Sequence, residues 1–281
     1  MSAALWNVLS DPWGEPILRR AFLEVALLGI AGGALGCWVL HHRMAYSAES
    51  MAHGLLPGLV LASLAGLPLL LGGAVSLVAT AVAVAFAGRI AGIDRDTAVA
   101  VVVTSLFGLG VLLALSPDSP PGLQNLLFGD PLGISDGDLL LAAGLVVTTA
   151  VALGLLHSRL LVVGFDRSAA HGLGVSAGRV DLALMGMLAV ALLVAVQGLG
   201  NLLVVALLVA PAAAARRLTR TMPAMLATAS VVAIAAGWAG MYLSYHARTA
   251  AGASIAGMLV LAVAAAEVAS RAGRSGRRRA A

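Results

Sequence analysis

Glu49 and His53 stand four residues apart in MAYSAESMAHGLLPGLVLASL, a stretch otherwise dominated by apolar and small residues. On a helix, side chains at i and i+4 project from nearly one face, so the carboxylate and the imidazole can share a ligand. Counting ten residues from Arg43 at about 1.5 Å each sets His53 about 15 Å deep, near a bilayer midplane. An ionised carboxylate at that depth is costly unless it faces a cavity or a cation, so an intramembrane Glu beside a His is read as functional by default. Imidazole nitrogen with carboxylate oxygen suits zinc, manganese or ferrous iron, whereas calcium or magnesium favours oxygen alone. Two ligands make a weak site, which fits a conduit that must release its cargo. The structural alternative puts Glu49 at the interface and hydrogen-bonds His53 to a neighbouring helix, and spacing alone leaves both open.

The remaining polar residues carry less. His246 falls at the outer mouth and is a secondary candidate for metal entry, while His41, His42, His157 and His171 fall at or beyond the inner boundary and read as solvated. Glu24 is a second costly carboxylate, explained as well by snorkelling to the interface. Pro57 and Gly58 would either loosen their helix or permit close packing, and packing is the preferred reading.

Long apolar elements must position these residues. Of 281 residues 60% are hydrophobic and 11% charged, with a mean hydropathy of +1.00, far from an ordinary soluble domain. Apolar runs near 21–40, 46–65, 69–88, 98–115, 138–156, 181–198, 200–215, 222–245 and 252–270 predict an all-α polytopic membrane protein of about nine transmembrane helices. The least secure division lies at Gln197, Gly198, Gly200 and Asn201, where a tight turn or a broken helix would both fit.

All 17 basic residues are arginine, and without lysine a Walker A phosphate loop is excluded, so ATP-driven work needs a partner. Cys37 is the only cysteine, which rules out an intrachain disulfide or a cysteine cage. Residues 1–20 lack a basic start and apolar core and read as an interfacial segment with Trp6 and Trp13 rather than a signal peptide. Residues 21–270 form the membrane domain, and 271–281 read as a basic cytoplasmic tail beside anionic lipid, with no nucleic-acid partner expected. With that tail inside, Arg43, Arg89, Arg95, Arg159, Arg167, Arg179, Arg216, Arg217 and Arg220 fall on the same side, and only Arg19, Arg20 and Arg248 fall opposite. This asymmetry predicts a cytoplasmic C-terminus and an extracytoplasmic N-terminus.

Two loops stand out. Residues 116–137, with Pro117, Pro120, Pro121 and Pro131, read as an ordered outer cap. Residues 157–180 read as an inner loop in which Asp166 and Ser168 cap a short helix that Gly172 and Gly174 terminate, a natural docking surface.

The segments GCWVLHHRMAYSAESMAHGLLPG, DRDTAVAVVVTSLFGLGVLL, GFDRSAAHGLGV, LLVVALLVAPAAAARRL and LSYHARTAAGASIAG occur in that order. Together, across about residues 20–270, they resemble the metal-chelate ABC permease family that imports zinc, manganese or iron. The resemblance implies an ABC importer permease fold of the vitamin B12/metal-chelate type in a bacterial cytoplasmic membrane. It implies a dimer of permeases, identical or not, with cytoplasmic ATPases that hold the ATP and an extracytoplasmic metal-binding protein that delivers the ion. No cofactor is expected on this chain beyond the transported divalent ion. It also implies that Glu49 and His53 line the pathway and that 157–180, above all Asp166, Ala170, Gly172, Gly174 and Val175, couples to the ATPase. Similar sequences more often have Asp and Ser where Glu49 and Ala52 stand, and an acidic residue and proline where Arg248 and Ala250 stand, which bears on metal preference and on docking of the delivery protein.

Two rivals remain. An intramembrane hydrolase would use Ser254, but GASIAG lacks the nucleophile-elbow spacing and no H-E-x-x-H motif occurs. An ion-gradient transporter or channel without ATPases is the alternative that the apolar pattern leaves open, and the loop 157–180 is what discriminates it.

Overall fold

The computed structural model describes residues 13–87, 95–116, 129 and 133–279. Their order is α1 (Pro16–His41), α2 (Ala45–Leu64), α3 (Leu69–Ala87), α4 (Arg95–Ala114), α5 (Asp136–Phe165), α6 (Arg167–Gly172), α7 (Ala177–Leu218), α8 (Met222–Ala247) and α9 (Ala251–Arg279). Helix is the expected answer in lipid, because it satisfies backbone groups within the segment.

The ends are specified locally. Proline opens α1 and α8, where its missing N–H costs nothing. A capping box opens α5: Ser135 Oγ accepts from the Asp138 N–H at 3.2 Å, and the Ser135 N–H donates to Asp138 Oδ2 at 2.9 Å.

Helix α1 is the centre of the bundle. Two-thirds (67%) of its most apolar window is buried, against 22% for α5 and for α9, which leave most of their surface uncovered by the rest of the bundle. It packs on α8, α7 and α5, and close approach is possible because Gly36 lies on the Leu208 carbonyl, where a Cβ has no room. Phe22, Leu28, Leu35 and Trp38 fill the surrounding core.

Helix α7 folds back on itself. Continuous helix would separate Asp181 from Arg216 by about 50 Å at 1.5 Å per residue. Yet Asp181 contacts His42 while Arg216 acts on the adjacent His41. Ala191 and Ala195 from the first leg line one small cavity with Val204, Leu207 and Leu208 from the second. The reversal is at Gly200, whose φ of 74° and ψ of 158° are open to glycine and strained for other residues. The division at 197–201 is therefore a turn between two legs, 177–199 and 201–218, and the described residues contain nine helical segments of 18 residues or more. Five of them, α1, α5, the first leg of α7, α8 and α9, are both long and strongly apolar.

The arginines sort by end. His42 meets Leu160 and Asp181, Arg167 meets Asp181, and Arg217 and Arg271 meet Glu267, so these lie at one end of the bundle. Arg20 pairs with Asp136 at 2.8 Å at the other end.

Several expected boundaries move. Helix α1 begins at Pro16 rather than near 21, with Trp13 stacked on Phe22 at 4.9 Å and donating to the Tyr242 hydroxyl at 2.6 Å. Helix α5 runs to Phe165 and α9 to Arg279, so neither 157 nor 271 breaks the backbone. Apolarity marks the hydrocarbon layer, whereas good helix formers carry the hydrogen-bond ladder beyond it. Trp6, Arg89 and most of the expected cap, including Pro117, Pro120, Pro121 and Pro131, lie outside the described residues. Gly129 is described and lies against the Gly198 carbonyl and Leu199 backbone beside the α7 turn.

Candidate metal pathway and coupling element

Glu49 and His53 occupy the second and third turns of α2. His53 Nε2 lies 3.9 Å from Glu49 Oε1, with the glutamate side chain 56% and the histidine 27% exposed. The His53 ring rests on Phe107 of α4, centroids 4.6 Å apart, and its Nδ1 is buried without a hydrogen-bond partner among the described residues. The nitrogen that faces the carboxylate, Nε2, is the one placed to take a ligand, since Nδ1 is closed off from the surface. At 3.9 Å the pair is held by no close hydrogen bond, so a cation between them displaces little.

Pro57 and Gly58 lie one turn beyond. Gly58 donates its N–H to Ser76 Oγ at 3.2 Å, and the Gly54 carbonyl accepts from Ser76 Oγ at 2.7 Å and Thr80 Oγ1 at 3.2 Å. Hydroxyls of α3 thus satisfy backbone groups disturbed around the proline, and Gly54 and Gly58 let α3 come near enough to do so. Close packing, the preferred reading of this segment, is what the contacts give.

His246 does not join the pair. It stands in the last turn of α8, against Tyr245, and no group of three or more His, Cys, Asp or Glu side chains able to hold a metal occurs among the described residues. Glu24 does not snorkel: it is 2% exposed, pressed against Gly198 at the α7 turn, with Oε2 unpartnered. The small residues of that turn leave a pocket that α1 fills. His42 is not solvated either, because α5 and α7 close over it; its side chain is fully buried and donates from Nε2 to the Leu160 carbonyl at 3.1 Å. Ser254 is buried, bonded to the Ala250 carbonyl and the Thr249 hydroxyl, which leaves it a helix-start residue rather than a nucleophile.

The short helix α6 exists as expected, with sharper ends. Asp166 Oδ1 accepts from the Ser168 and Ala169 N–H groups at 2.8 and 3.1 Å and from the Ser168 hydroxyl at 2.6 Å. Those bonds, the Ser168 hydroxyl foremost, hold the Asp166 carboxyl below the usual carboxylate range. Asp166 is the cap and Ser168 its donor. At the other end, Val175 donates to the Ala170 carbonyl at 3.0 Å and Gly174 to His171 at 3.1 Å, with Gly174 at φ 70°. This is a Schellman stop, and Gly174 alone makes it, because Gly172 is still helical. Ala170 is fully buried and Val175 packs on the core, which pins α6 to the bundle.

Two residues escaped the sequence reading. Phe165 is 93% exposed and Leu173 69% exposed, flanking α6 on the arginine-rich end. Their signal was available: large apolar side chains inside a polar, glycine-bearing segment, outside any span.

Comparison with known proteins gives this geometry its context. The manganese transport system membrane protein MntC of Halalkalibacterium halodurans is 31% identical over 85% of this chain and 82% of its own. The chelated iron transport system membrane protein YfeD of Yersinia pestis is 28% identical over 89% of this chain and 84% of its own. Among solved structures, PsaBC from Streptococcus pneumoniae in complex with Fab superposes with a TM-score of 0.86 at 25% identity, covering 93% of this chain and 95% of that one. The sequence model of the ABC 3 transport family matches residues 15–269. With that model matched over residues 15–269 of a polytopic helical bundle, the chain belongs to the ABC 3 transport family and is a membrane permease.

Proposed function

We propose that the chain is the permease subunit of an importer for a divalent transition-metal ion, manganese, zinc or iron, across a bacterial cytoplasmic membrane. The observation that carries it is the Glu49–His53 pair, 3.9 Å apart and accessible on one face of α2, in a chain whose relatives are named for manganese and iron transport. Glu49 and His53 act as transient ligands, with a second copy or a paralogous permease completing the pathway across a dimer interface. The arginine-rich end is cytoplasmic, as the charge asymmetry requires. There α6, with Asp166, Ala170, Gly172, Gly174 and Val175, receives a partner ATPase, and exposed Phe165 and Leu173 supply apolar contacts. An extracytoplasmic metal-binding protein docks at the opposite end, near His246 and Arg248. ATP-driven closure of the partner pushes α6 and alternates access to the pair.

The test is cellular manganese, zinc and iron, by elemental mass spectrometry, in intact, deleted and Glu49→Ala/His53→Ala strains after metal starvation at matched expression. Selective loss of one metal in both altered strains identifies the cargo and supports the ligands. Unchanged metals in the deletion overturn the reading.

A further inference from the structure

The arginine-rich end contains a polar chain that the pathway reading does not use. Arg167, the first residue of α6, forks onto Asp181 in the first turns of α7, Nη1 to Oδ1 at 3.4 Å and Nη2 to Oδ2. The same Oδ1 lies 3.4 Å from His42 Nδ1, a close contact that makes no hydrogen bond, and His42 Nε2 donates to the Leu160 carbonyl of α5 at 3.1 Å. Four elements, α6, α7, α1 and α5, thus meet through one carboxylate and one buried ring. Around the ring, Trp38 packs edge-on to His42 and His157, with centroids at 6.3 and 5.5 Å, so the imidazole has no room to swing away.

His42 is also the C-cap of α1, three residues before α2 begins at Ala45. The connection is stiff. Met44 donates to the Val39 carbonyl at 2.8 Å and Arg43 to Leu40 at 3.2 Å, the bonding of a Schellman turn, with Arg43 rather than glycine at φ 59°. A non-glycine residue in that conformation persists where its surroundings over-determine it. A displacement of His42 is therefore delivered to the first turns of α2, where Glu49 stands one turn in.

We propose that Asp181 and His42 are positioning residues that tie the coupling helix to the metal-bearing helix, so that a push on α6 moves Glu49 and His53. This rests on the reading of the chain as an ATPase-driven importer. Arg167 hands the movement to Asp181, Asp181 to His42, and the stiff α1–α2 turn to α2. Glu49 and His53 hold the ion, whereas Asp181 and His42 touch neither ion nor nucleotide. Their loss uncouples the machine without disabling either end.

The experiment uses the permease assembled with its ATPase and binding protein in proteoliposomes, with manganese(II) as probe and uptake and ATP hydrolysis followed together. Asp181→Ala is expected to lower manganese taken up per ATP by about tenfold while ATP hydrolysis stays within about twofold, a size typical of coupling between sites. Asp181→Glu restores most of the ratio. A nitroxide at Tyr46→Cys, an exposed position in the first turn of α2, reports the ATP-driven movement directly. Its spectrum responds to ATP in the otherwise unaltered chain and in Glu49→Ala, and is silent in Asp181→Ala; buried Cys37 stays unlabelled. If Asp181→Ala fails to assemble, isosteric Asp181→Asn is read in the same way. An unchanged ratio with a responding label overturns the proposal, and failure of both variants to assemble assigns Asp181 to folding and overturns it too. Absence of ATP-dependent uptake of manganese(II), zinc(II) and iron(II) alike by the unaltered complex overturns the importer reading instead.

Discussion

The Glu49–His53 pair on α2 and the Asp166–Arg167–Asp181–His42 group around α6 are built from the same residue types and finished oppositely. The first is open: its closest polar approach is 3.9 Å, and the glutamate side chain is 56% exposed. The second is closed, with the Asp166 carboxylate taking three donors and Asp181 taking an arginine fork. A group that must bind and release gains from leaving its hydrogen-bonding capacity unspent. A group that must transmit force gains from carboxylates whose capacity is committed, as those of Asp166 and Asp181 are, although His42 Nδ1 beside them makes no hydrogen bond among the described residues.

That contrast can be broken from either side. The largest effect belongs to the open pair: alanine at both Glu49 and His53 is expected to cut metal uptake by about a hundredfold, a loss of about 3 kcal/mol of transport-competent binding, with bundle assembly by size-exclusion chromatography unchanged. Next comes the support beneath the pair. Gly54→Val sets a Cβ about where Thr80 stands and is expected to destabilise the chain by about 1–3 kcal/mol in detergent unfolding, because overpacked helices must separate. If stability holds and uptake falls, α3 is a gate rather than a brace.

The closed region yields smaller numbers. Gly174→Ala forces a Cβ into a left-handed residue and is expected to cost about 1–2 kcal/mol locally, read as weaker ATPase association. Smallest is the pH response of the Asp166 cap. The carboxyl is held below its unfolded value, so the stability it gives is fully present above the ordinary carboxylate range and is lost as pH falls through the lower folded value. ATPase association is thus expected to be flat from neutral pH down to that range, then to weaken in stronger acid, and Asp166→Asn should remove the acid limb.

Much of the bundle was legible because one term dominates. In lipid a run of apolar residues has one good conformation, so the apolar spans, the arginine sidedness and the α6 cap could all be read from residue type. What was not legible depended on partners distant in sequence. Nothing near His42 reports that Leu160 and Asp181 will close over it, and nothing near Glu24 reports Gly198. The ambiguity at 197–201 had the same origin. Glycine permits both a kink and a reversal, and only the meeting of Asp181 and Arg216 with neighbouring histidines decides. Gly172 was overread for a related reason: two glycines near a helix end look equivalent until φ distinguishes them.

The reversal at Gly200 also constrains how the chain enters the membrane. With no loop between them, legs 177–199 and 201–218 are expected to enter the bilayer as one helical hairpin rather than one after the other. Arg216, Arg217 and Arg220 then stay together at one end of that hairpin, the end where Arg179 begins it. An epitope inserted at the apex would have to be accommodated by a turn with no slack, so added sequence is expected to be poorly tolerated there.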